Sequence, residues 1–233
     1  MKDTACISRL LASSLHDMRN VLAIIRESAG LAQDVSSMDG QPGQGGDTFD
    51  SNRQTLLSSL ESVQNAVGHG AAVIEAMDYM AQLENQKNIS SPSCDLQRVC
   101  QGFCLMAARW AKGVRISLTA GEAREAVWAA LPVAAVYCAL LDILDLCASV
   151  GGQVDLLLTA ARYNGQEGIW VELAGGDNLP LVLSAMTGNP TLESSAPDWE
   201  TVLTPCTDGA ASAGETAGQR FFLALRAGNT FGK

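Results

Sequence analysis

Two long apolar seams joined by a stretch rich in Gly and Pro constrain this chain more than anything else in it. Between Thr4 and about Val35, Leu11, Leu15, Met18, Leu22, Ile25, Ala29 and Ala32 recur at alternating steps of four and three. That rhythm is the stripe of an amphipathic helix, because 3.6 residues complete a turn. The same steps run through Leu56, Leu60, Val63, Val67, Gly70, Ile74, Met77 and Ala81, inside a second helix expected from about Asp50 or Ser51 to Gln86. Between them, SSMDGQPGQGGDTFDSN reads as a flexible connector. Helices of roughly 30 residues span on the order of 45 Å each. A lone hairpin of that length leaves wide apolar faces in water. Two copies forming a four-helix bundle cover them, so a homodimer is expected.

After SSPSCDL the rhythm changes. Ser93 or Asp95 suits the N-cap of a helix reaching about Lys112, since a short oxygen-bearing side chain accepts from the first free N–H groups. GVRISL and AVWAAL read as strands, and Pro132 opens an apolar helix to Val150. QVDLLLTAARY and GIWVELA form a hairpin through NGQEG, and GQRFFLALRA supplies a last strand. The elements between Pro180 and Gly218 are not legible. The fold class is therefore α+β. A helical hairpin occupies residues 1–90, and helices on one face of a mixed sheet, an α/β sandwich, occupy 91–233.

The formal charge of −10 argues against nucleic acid as a partner, because phosphate binding needs a basic face. MKDTACISRLL lacks a signal-peptide core, and the apolar run at 132–150 is interrupted by Asp142 and Asp145, so no membrane span is expected. Seven cysteines, several inside apolar helical patterns (Cys100, Cys104, Cys138, Cys147), read as buried thiols of a reduced, cytoplasmic protein. Cys100 and Cys104 lie one helical turn apart, but no CxxC pair or nearby histidine completes a metal site. Trp110, Trp128, Trp170 and Trp199 read as core or loop anchors.

The stretch HDMRN stands out because the chain has only two histidines. His16 and Asn20 lie one turn apart on one helix face, beside the apolar stripe rather than in it, and are expected to be exposed. Neutral imidazole offers a nucleophilic nitrogen to phosphorus. A carboxylate such as Asp17, holding the other N–H, fixes the tautomer and stabilises the charge that develops. The planar amide of Asn20 suits the orientation of a water. The plain alternative is a solvated helix face. His69, between Gly68 and Gly70, reads as a polar helix position, with the glycines permitting close packing.

HDMRN fits the form H-[DE]-x-x-[NT], and with the layout of hairpin then α/β domain the chain resembles the core of a two-component sensor histidine kinase. In that family a dimerisation and phosphotransfer hairpin precedes an ATP-binding domain of the GHKL type. The resemblance implies that His16 carries the phosphoryl group, that Asp17 assists its transfer to a response regulator, and that Asn20 matters when the regulator is dephosphorylated. The chain departs from the family where nucleotide is held. The N-box form N-L-x-x-N-A is replaced by LLDILDLCAS, with Leu146 at the second asparagine. Leucine cannot ligate magnesium, which wants oxygen. ELAGGDNLP holds its glycines and aspartate in a different order from D-x-G-x-G, with Gly175 about where the family has its adenine-reading aspartate. AASAGETAG resembles the closing G-x-G-T-x-F segment, with Gly218 and Phe221 in register.

These departures imply a degenerate ATPase-like domain, as in dimeric histidine phosphotransferases. Such a protein passes phosphoryl groups between receiver-domain aspartates. It needs no cofactor of its own, and the Mg²⁺ comes from the partner receiver domain. Three other readings compete: a divergent kinase binding ATP through Asp142, Asp145 or Asp177, a regulator phosphatase using Asp17 and Asn20, and an interaction scaffold.

Overall fold

The computed structural model describes residues 2–38, 46–85, 93–175, 179–188, 191–192, 199–206 and 219–227. Helix α1 (Lys2–Met38) and helix α2 (Gly46–Asn85) are both longer than the seams alone require. Residues 36–38 and 46–49, expected in the connector, are helical. Once a helix is nucleated, each added residue gains a hydrogen bond for a small ordering cost, so it runs past the last apolar contact. By contact the chain divides into two compact units, Ser14–Glu75 and Met1–Ser13 with Ala76–Lys233, so the boundary falls inside both helices.

Within the hairpin unit the two expected seams split. Met18, Ile25 and Ala32 are half-buried beside buried Val21 and Val35, and on α2 Leu56 and Val63 are half-buried beside buried Ala66, Gly70 and Val73. The alternate members of the same stripes, Leu15, Leu22, Leu60, Val67 and Ile74, are all more than half exposed. Each helix thus spends half its apolar stripe on the hairpin partner. Gly70 sits at a close approach: a Cβ there would stand 3.1 Å from Val21 Cγ1, while at Gly68 it would meet open space.

The second unit is built on helix α4 (Val133–Val150), whose buried residues include Val136 to Leu141 without a break and then Ile143, Leu144 and Cys147. A helix apolar on all sides has to be enclosed. By length and composition α4 alone among the described residues could cross a membrane, but most of it is buried. It lies between strand β2 (Ile116–Ala120) and strand β4 (Val154–Tyr163), which pair in parallel and need a crossover of this kind. With β5 (Gln166–Ala174), β6 (Thr191–Leu192), β7 (Trp199–Cys206) and β8 (Gln219–Ala227) they make a six-stranded mixed sheet, in the order β2-β4-β5-β8-β7-β6. AVWAAL contributes only the two-residue strand β3 (Trp128–Ala129), which pairs with β1 (Cys94–Asp95) outside the main sheet.

Alternation along the strands puts Val154, Leu156 and Leu158, Ile169, Val171 and Leu173, and Phe221 and Leu223 into one core with α4. Helix α3 (Leu96–Gly113) and helix α5 (Leu179–Gly188) complete that layer. Asp95 caps α3, its carboxylate accepting from the N–H groups of Gln97 and Arg98 at 3.0 and 3.4 Å. The β4–β5 turn is the pair Asn164–Gly165, with φ of 52° and 76°, as a two-residue hairpin turn of this hand demands.

The thiols serve as small apolar groups. Burial pushes Cys94, Cys104 and Cys147 up to about 12 from an ordinary 9.0, and Cys100 well above it. Burial raises Tyr79 and Tyr137 as well. These groups stay protonated in the fold at pH values where the unfolded chain ionises them. Their stabilisation is therefore complete below about 9 and is lost as pH climbs to about 12. Thermal melts in a pH series should show a midpoint that falls steadily across that alkaline window. A flat profile there would contradict the buried placement of these thiols.

Candidate functional site

His16, Asp17 and Asn20 stand on α1 within the hairpin unit. Asn20 is exposed as expected, one helical turn beyond His16, whereas His16 and Asp17 are half-buried. The ring nitrogen Nδ1 of His16 is fully buried and has no hydrogen-bond partner among the described residues. Two expectations change with this. The imidazole is not a freely solvated group on the flank, and Asp17 does not hold its N–H. Adjacent side chains on a helix diverge by about 100°, so the carboxylate has to turn back to reach the ring. With Nδ1 turned inward, Nε2 is the nitrogen left to approach a phosphorus atom. Attack through Nε2 requires the proton on Nδ1, where an acceptor then stabilises the developing charge.

His69 is exposed on α2, in keeping with a polar helix position. The carboxylates of α4 are committed differently. Both oxygens of Asp145 accept from Arg9, Nη1 and Nη2 each donating at 2.7 Å. Those hydrogen bonds hold the Arg9 guanidinium above its ordinary range despite partial burial. Asp142 adds a further favourable charge for Arg9. Leu146 packs against the core, as a hydrocarbon should. Gly175 has a φ of 76°, and a Cβ there would lie 3.1 Å from Asp155 Oδ2, so this turn is read by backbone conformation. Asp177 and Gly218 lie outside the described residues; Phe221 is buried in β8.

Cys100 and Cys104 are free and buried, and no group of three metal-ligating side chains occurs among the described residues. Three of the tryptophans differ in role. Trp110 lies under the Arg9 guanidinium at 4.5 Å, and Trp170 joins Tyr163 and Phe222 in a ring cluster on the sheet face away from the helices. Trp128 is 55% exposed and anchors no core. The side chain of Trp199 lies outside the described residues.

Sequence reasoning missed two features. One is the Arg9–Asp145–Trp110 contact, whose charged partners lie 136 residues apart with no local signal to join them. The other is a concavity of about 640 Å³ on the open sheet face, beside Arg124, Thr159, Arg162, Trp170, Glu172 and Arg220. Arg220 there is paired with Glu172 at 2.7 Å, and Arg162 with Glu167 at 3.3 Å, so much of its charge is already neutralised.

No family model matches the chain, and no curated protein matches it. Among solved structures it is similar to the histidine kinase AdeS of Acinetobacter baumannii, at 12% identity over 92% of this chain and 98% of that one, with a TM-score of 0.35. It is similar to a bacterial phosphotransferase, at 10% identity over 96% of each chain, with a TM-score of 0.35. It is also similar to the nucleotide-free catalytic domain of the histidine kinase ThkA, at 8% identity over 60% of this chain and 97% of that one, with a TM-score of 0.37. At these identities and scores the functional reading rests on the chain's own residues.

Proposed function

We propose that this chain is a histidine phosphotransfer protein of a two-component phosphorelay, a cytoplasmic homodimer whose His16 exchanges a phosphoryl group with receiver-domain aspartates. The observation that carries the reading is one imidazole in HDMRN, on a long hairpin helix, with Nδ1 inward. Nε2 attacks the phosphorus of a receiver aspartyl phosphate. The N–P bond forms as the P–O bond to the aspartate breaks, and the carboxylate leaves with the electron pair. The proton stays on Nδ1, and Asp17 accepts its hydrogen bond on turning back toward the ring. The receiver's Mg²⁺ neutralises the transferring group, which leaves positioning as this protein's task.

The commitments on α4 support a relay over an ATP-dependent kinase. Asp145 is held by Arg9, and Leu146 stands where the family's magnesium ligand would be. The divergent-kinase reading would need Asp145 freed from Arg9. Asn20, exposed one turn beyond His16, favours regulator phosphatase activity as a second role.

Incubation with phosphorylated receiver domains, and separately with labelled ATP, distinguishes these readings. The relay predicts label from the receivers and none from ATP, with His16→Ala abolishing it and Asp17→Asn slowing transfer by about 10²-fold. Label from ATP alone would restore the kinase. Receiver dephosphorylation that persists in His16→Ala and fails in Asn20→Ala would make the protein a phosphatase.

The exposed half of each seam supports a second copy as partner. Leu15 and Leu22 on α1, and Leu60, Val67 and Ile74 on α2, recur at steps of seven, a stripe suited to a helix–helix contact. Light scattering should give twice the chain mass for the native protein and the single-chain mass for Val67→Asp combined with Leu22→Asp. A native protein that stays monomeric at micromolar concentration would remove the four-helix bundle.

A further inference from the structure

Helix α3 carries a charge pattern that neither the core nor phosphoryl transfer uses. Arg98, Gln101, Leu105, Arg109 and Lys112 recur at steps of three, four, four and three, so they share one face. Leu105 is half-buried there and the other four are exposed. Arg115, just past the helix end, is exposed as well. From Leu96 to Ala120 the chain has these four cations and no carboxylate, although Asp and Glu outnumber Lys and Arg by 25 to 15 overall. Arg98 stacks over the Tyr79 ring at 4.3 Å. Arg109, Lys112 and Arg115 enter no ion pair among the described residues, whereas Arg9, Arg162 and Arg220 each have a carboxylate.

The backbone at Arg115 is a second, independent observation. Its φ of 63° lies in the left-handed region, which glycine or asparagine enters at less cost. The other described non-glycine residue with positive φ is Asn164, a type expected of a turn. A long cation held where the backbone would accept glycine more readily points to use of the side chain. The helix dipole accounts for Lys112 at the C-terminal end of α3, but not for Arg98 in the first turn, where a cation is disfavoured.

We propose that this face of α3 is a docking surface for an acidic partner protein, whose clustered carboxylates lie along Arg98, Arg109, Lys112 and Arg115. Three of the four cations are arginines, whose forks match carboxylate geometry. The 18 residues of α3 span about 27 Å, the scale of a charged patch on a folded protein. A duplex or a bilayer would also lie against surface beyond that face, and the rest of this chain is strongly acidic. The α3 of a second copy would set cation on cation. The surface belongs to the C-terminal unit and asks nothing of His16.

The test titrates the full chain into a fluorescein-labelled peptide of alternating Asp and Glu, reads binding by anisotropy, and maps the contact by amide shifts. Shifts should fall on residues 98–115, and affinity should drop about tenfold between about 50 mM and about 200 mM salt. Arg109→Glu combined with Lys112→Glu should weaken binding on the order of 100-fold. Arg115→Gly should weaken it about threefold with the melting point unchanged or raised, a result that a purely structural arginine would not give. No binding by the native protein, equal binding by the double variant, or shifts confined to other elements would overturn the proposal. Tighter binding of a DNA duplex or of phosphatidylserine vesicles than of the peptide would overturn it too, as would loss of self-association in the double variant.

Discussion

Enclosing α4 is the constraint on which the C-terminal unit depends. A helix with apolar side chains all round its axis has no face to give to water. One side is taken by the inward residues of β4, β5 and β8, and α3 and α5 pack in the same core. The parallel pairing of β2 with β4 follows, since α4 is the crossover between them. The Asp145 carboxylate stays 43% exposed and pairs with Arg9. The same enclosure makes Leu146 an ordinary packing residue and buries Cys147 beside it.

The hairpin obeys a different rule. Its helices carry stripes wider than one partner can bury, so each stripe divides between an inward row and an outward row. Gly70 shows how narrow the inward seam is, with Val21 close enough that even a methyl group would crowd it. Gly68, two residues away on an open face, has no such role. The long apolar helix of the C-terminal unit is enclosed, whereas the hairpin leaves half of each stripe exposed.

Much of this is legible in the sequence, and the reason is periodicity. Four-three steps revealed α1 and α2, alternation revealed β4 and β5, and Asp95 and Pro132 marked helix starts through local capping and φ restriction. The length of α1 and α2 was underestimated because propagation past the last apolar contact leaves no mark in composition. The region from Pro180 to Gly218 is not legible because its Pro, Gly, Ser and Thr content masks any period. His16, Asp17 and Asn20 are candidates by residue type, spacing and the family form they fit, but the inward Nδ1 leaves no mark in sequence, since rotamer and burial come from packing. The Arg9–Asp145 contact was invisible for the same reason, being a tertiary pair with no local consequence.

The proposed relay depends on a single nitrogen. Isotope-edited NMR of histidine-labelled protein, before and after exposure to a phosphorylated receiver, reads both rings separately. The expected spectrum has a phosphorus-coupled Nε2 on His16, a proton retained on its Nδ1, and an unaltered His69. Phosphorus on His69, or no change in either ring under conditions where the receiver remains phosphorylated, would contradict the account.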